Sequence, residues 1–129
     1  MSVHVDAKDY KRLSEIVTRR GWQIYGGRAS IDMCKKFPEL NDVAWMSIDL
    51  ERVQGGMPLK RVLQQSIDEF HAVWGACRVA VSKETSIKGM SEADAVAKLY
   101  EYINAMIDVK SEMNEILKEI CESKIRLIK

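Results

Sequence analysis

With 129 residues, 47% of them apolar and 30% charged, the chain has the makeup of a folded domain, which excludes wholesale disorder. A net charge of +1 gives no overall pull toward nucleic acid or acidic membranes; residues 1–40 carry eight basic and five acidic side chains (+3), residues 91–129 six and eight (−2). Cys34, Cys77 and Cys121 stand far apart without a CxxC or Cys/His set, so neither a zinc site nor a disulfide framework is expected; with no signal-like apolar stretch and no long apolar run, the expectation is a cytoplasmic protein without a membrane segment.

Two prolines, seven glycines and apolar residues recurring at three- and four-residue spacing predict an all-α fold. A first helix starts at Asp6, whose carboxylate can accept from the open amides of the first turn. Tyr10, Leu13, Ile16 and Val17 fall on one face, Arg19 and Arg20 suit the negative end of the dipole, and Gly21 can adopt the left-handed conformation that ends the helix. The stretch from Trp22 to Gly27 reads as a turn or short extended segment. A short second helix is expected from Ser30 to about Lys36, stopped by Pro38. A third runs from Asn41 or Asp42 to about Gln54, with Val43, Met46, Leu50 and Val53 along one side and Gly55-Gly56 at its end.

Met57-Pro58 opens a fourth helix over about 58–82, since a first-turn proline lacks only an amide that the helix does not use. Its stripe includes Leu63, Ile67, Phe70, Val73, Trp74, Cys77 and Val81, and a linker over Thr85–Met90 follows. A fifth helix, about 92–127, starts at the cap Ser91 with Asp94 three residues on. Its seam is Val96, Leu99, Ile103, Met106, Lys110, Met113, Leu117, Ile120, Lys124 and Leu127, eight of ten apolar. Tyr100, Ile107, Cys121 and Ile128 flank one side, and Tyr102, Val109 and Ile116 the other. Together these rows cover about 160° of the helix, more than the roughly 100° that one neighbour requires.

The predicted architecture is therefore a helical bundle of about five helices in one domain, 1–129: a short-helix part over 1–56 and a long antiparallel hairpin over 57–129. Its last helix outruns its partner by roughly a dozen residues, given about 1.5 Å per residue. That overhang must be covered by the N-terminal helices, by a second copy or by another protein.

No motif specifies a reaction. The row Glu112, Glu115, Glu119 and Glu122 lacks a matching acidic pair on a second helix and reads as a solvated face. Asp68 and His71 make one D-x-x-H step where a di-iron site needs two and more. No catalytic residue, metal or cofactor is expected. The leading expectation is a non-catalytic protein–protein interaction or assembly protein, a homo-oligomer and/or the partner of another protein, with Tyr102, Val109, Ile116, Leu117, Ile120, Leu127 and Ile128 as its interface. The alternative is nucleic-acid binding by a basic N-terminal unit, in which Arg19, Arg20 and Arg28 would grip phosphates while Trp22 and Tyr25 stack on bases. In outline that chain resembles the small DNA-recognition subunits of viral packaging machines. A third reading, a small-ligand or nucleotide-binding bundle, would use a pocket near the same turn.

Overall fold

The structure, a computed structural model, describes residues 4–38, 42–81 and 91–128. Chain order is α1 (Ala7–Arg19), β1 (Gln23–Gly26), β2 (Ser30–Phe37), β3 (Asp42–Asp49), α2 (Leu50–Gln54), α3 (Leu59–Val81) and α4 (Glu92–Glu122).

Helix α1 begins and ends where its local signals place it. The Asp6 carboxylate accepts from the Lys8 and Asp9 amides. At the other end Gly21 has φ +87°, the Gly21 amide donates to the Thr18 carbonyl, and the Trp22 amide donates to the Val17 carbonyl. This is a Schellman closure, in which glycine supplies the left-handed residue and the side chains on either side meet in the core. Trp22 and Val17, both buried, make that apolar pair.

The sheet corrects the all-α expectation. The fold is α+β: β1, β2 and β3 form an antiparallel meander in that order. The helix expected over Ser30–Lys36 is β2, and the one expected from Asn41 or Asp42 to Gln54 is β3 followed by the short α2. The analogy with helical DNA-packaging subunits goes with it. The physical cause is a period of two. Ile31, Met33 and Phe37 on β2, and Ala44, Met46 and Ile48 on β3, are buried on one sheet face, whereas Asp32, Lys36, Val43 and Trp45 are exposed on the other. Val43 and Met46, expected on one helical side, thus lie on opposite faces. Lys35 masks the alternation in the sequence, because it occupies an inward position between Met33 and Phe37.

Helix α3 protects the sheet on one edge. The outward Ser47 amide of edge strand β3 donates to the buried Ser66 hydroxyl at 2.8 Å, so a group that could recruit another strand is occupied. Val62, Leu63, Ile67 and Phe70 of α3 join the sheet face, α1 and the second half of α4 in one core cluster.

Helices α3 and α4 pack against each other, with the Lys110 charge acting on His71. Ser66 of α3 bonds to Ser47 and Phe70 packs edge-on against Trp45, so α3 advances toward the Phe37–Asp42 end of the β2–β3 pair. On α4, Ala105 and Asp108 lie by Phe37 and Pro38 while Glu112 reaches back to Lys35, so α4 recedes from that end and the two helices run antiparallel. The expected linker over 85–90 and the side chains of Leu99, Val73, Trp74, Cys77 and Val81 lie outside the described residues.

The fifth predicted helix ends earlier than expected, at Glu122 rather than near residue 127. Lys124 and Leu127 have φ of 54° and 66°, and neither is glycine. This left-handed tail is latched to α1. The Asp9 carboxylate accepts from the Arg126 and Leu127 amides, the Asp6 amide donates to the Leu127 carbonyl, and the Arg12 guanidinium donates to the Ser123 carbonyl. Contacts that over-determine the backbone in this way are what allow such conformations to persist.

Candidate interaction surface

The turn after α1 is bound to α4. Glu119 accepts from Arg19 and, at 3.1 Å, from Arg20 Nε. Seven residues back on α4, and so two turns along the same face, Glu112 Oε1 accepts from the Trp22 indole at 3.1 Å and from Lys35 Nζ at 2.9 Å. Lys35 Nζ also donates to the Arg20 carbonyl at 2.9 Å and lies over the Phe37 ring. The inward lysine of β2 is therefore compensated by a carboxylate from α4. Glu112 and Glu119 are structural clamps, in contrast with the solvated face their spacing suggests; Glu115 and Glu122 are exposed.

These contacts place the alternative site residues. Arg19 and Arg20 are ion-paired, and Trp22 is buried with its ring against Phe37. Tyr25 is exposed on β1, its hydroxyl donating to Gln23 Oε1 at 2.7 Å, and Arg28 is exposed. The structure does not bring the five together as one binding face. A cavity of about 310 Å³ lies nearby, lined by Lys35, Lys36, Phe37, Ala105, Asp108 and Glu112 among others, and not by Trp22, Tyr25 or Arg28.

The predicted interface residues fall mainly inside this chain. Val109, Ile116, Leu117, Ile120 and Leu127 are buried in the common core; Tyr102 and Ile128 are half-buried against it. The C-terminal overhang is covered by α1, the sheet and the latched tail, so the apolar surface left over lies elsewhere on the same helix. Helix α4 supplies fully buried residues to the main core from Ala105 onward, with Tyr102 half-buried against it; in its earlier turns Ala95 is buried but lies outside that cluster.

On this first half of α4, Val96, Tyr100, Ile103 and Ile107 remain 46–62% exposed. At 100° per residue they fall within an arc of about 60°, opposite the row Tyr102, Val109, Met113, Ile116 and Ile120 that faces the core. The signal was present in the sequence, divided between the predicted seam and its flank. The exposed stripe stops at Lys110 and Asn114, whereas the buried row continues to Ile120. A row that ends midway along a helix is not its core face.

His71 sits beside this region of α4. Its Nε2 is shielded from solvent and has no hydrogen-bond partner among the described residues. Burial first, and the Lys110 charge second, hold its pKa below the ordinary 6.5, with Asp68 pulling the other way. Among the described residues no group of three His, Cys, Asp or Glu side chains gathers to hold a metal, and no helix is long and apolar enough to cross a membrane.

Fold and surface together define an α+β body whose helix α4 presents an apolar stripe. The chain matches no known family model, no curated protein and no solved structure.

Proposed function

We propose that this protein is a non-catalytic protein–protein interaction module whose body fixes and orients the first half of α4. The observation that carries this reading is the stripe Val96, Tyr100, Ile103 and Ile107, exposed in a 4-3-4 spacing while the opposite face of the same helix is buried. That spacing is the one with which a helix meets another helix. Covering the stripe would remove roughly 400 Å² from water, on the order of 10 kcal/mol gross at about 25 cal/mol per Å². Association itself costs about 4–15 kcal/mol, so the stripe fits a reversible partner. A cytoplasmic setting fits the free thiols of half-buried Cys34 and exposed Cys121.

The test is photo-crosslinking in the native cell, with a benzophenone side chain in place of Tyr100 and, as a control, in place of exposed Glu115. A discrete adduct at position 100, identified by mass spectrometry as one protein and lacking at position 115, is expected. A folded variant that gives no discrete adduct from position 100 would remove the proposal.

A further inference from the structure

Resting on that reading, the geometry points to a particular partner: a second copy of this chain, its α4 antiparallel to the first, about a two-fold axis between Glu101 and Tyr102. The stripe reads the same in both directions. Its steps of four, three and four residues place Val96 opposite Ile107 and Tyr100 opposite Ile103 when the helix is reversed on itself. An isologous interface requires this self-complementarity.

The charges beside the stripe select the same arrangement. Glu92 and Lys110 are 18 residues apart, which at 3.6 residues per turn is about five whole turns, so both lie along one edge of the stripe. Both are exposed, and neither makes an ion pair among the described residues. From the proposed axis they stand about 14 Å and about 13 Å along the helix, on opposite sides. The two-fold rotation brings Lys110 of each copy beside Glu92 of the other, one pair at each end. A parallel, in-register pairing would instead set this edge against the opposite, uncharged edge of the partner and leave both charges without a counter-charge across the contact.

The opposite edge carries Ala93, Ala97, Asn104 and Ser111, all exposed, small or neutral. Nothing bulky or charged among them holds a second helix away, and helices meeting there can reach the usual separation of about 8–10 Å. Two stripes together cover roughly 800 Å², below the 1,200–2,000 Å² of a standard stable interface, so the dimer is expected to exchange at micromolar concentration.

Sedimentation equilibrium on the full chain, from low micromolar to near-millimolar concentration, tests this directly. The wild type should show a reversible monomer–dimer equilibrium, abolished by Ile103→Asp with Ile107→Asp at unchanged melting temperature. Glu92→Lys alone and Lys110→Glu alone should each weaken the dimer about tenfold, because each homodimer then holds two like-charge contacts. An equimolar mixture of the two single variants should recover association to within about threefold of wild type, since both pairs are complementary in the heterodimer. Recovery on mixing cannot come from a folding defect in either variant. A wild type that stays monomeric at the highest concentration, or variants that associate no better mixed than apart, would overturn the self-pairing. If in that event Tyr100 still crosslinks to one different protein, the interaction reading stands and only the partner is wrong; if it crosslinks to nothing, both fall.

Discussion

Replacing Asp9 by alanine removes the acceptor that holds the C-terminal tail to α1, and the structure gives the size of the effect. Asp9 Oδ2 accepts from the Arg126 amide at 3.0 Å and from the Leu127 amide at 2.9 Å. A hydrogen bond to a charged group contributes about 1.5–3 kcal/mol, and the exposed Arg126 amide recovers most of its share from water. The Arg12 ion pair at 3.7 Å is exposed and adds almost nothing. The first-turn carboxylate adds about 0.3–1 kcal/mol against the helix dipole. The expected loss is therefore about 2–4 kcal/mol, a large part of the roughly 5–15 kcal/mol that holds a domain folded. Asp9→Asn keeps a neutral acceptor and should lose about half as much. Leu127, fully buried with φ 66°, would be released with the latch. Urea unfolding of the two variants, with the slope of the transition unchanged, measures the difference, and amide exchange at Leu127 reports the release. A loss below about 0.5 kcal/mol, or equal losses for alanine and asparagine, would refute the reasoning, because water would then serve the tail amides as well as the carboxylate does.

Two further outcomes follow from the clamps and from His71. Glu112→Ala should cost about 2–4 kcal/mol, since it leaves the buried Trp22 indole without its acceptor and the largely covered Lys35 ammonium without its counter-charge; Glu119→Ala should cost about 1 kcal/mol or less, because Arg19 is mostly in water. Equal losses in urea melts followed by tryptophan fluorescence would contradict that ranking. His71 titrates below 6.5 when folded, so on acidification the unfolded chain takes up its proton first. Stability should be level with respect to this group above about pH 6.5, fall as pH drops toward the lowered folded value, and level off below it. His71→Gln should remove that part of the slope; an unchanged profile between pH 7 and 5 would show that the imidazole is not what titrates.

The helical elements were legible because their signals are local. Asp6 and Gly21 bound α1, Pro58 opens α3 and Ser91 caps α4, and each works through backbone groups within a few residues. The meander was hidden for a non-local reason. Lys35 breaks the alternation that would have marked β2, and it can face inward only because Glu112, 77 residues away, supplies its counter-charge. The interaction stripe had the same difficulty. An apolar arc of about 160° on one helix exceeds what one neighbour covers, so the sequence carries the excess without saying which part of it remains outside.

By itself, then, the sequence determined both ends of α1 and the starts of α3 and α4, and that α4 has more apolar surface than one neighbour needs. Only the tertiary structure decided which face of α4 is core. Asp9, by binding two tail amides, folds Leu127 back onto α1, while Glu112 and Glu119 draw the strands and the α1 turn onto the second half of the helix. Those long-range ties bury Val109, Met113, Ile116 and Ile120 and leave Val96, Tyr100, Ile103 and Ile107 at the surface, a choice that depends on groups brought together only by the fold.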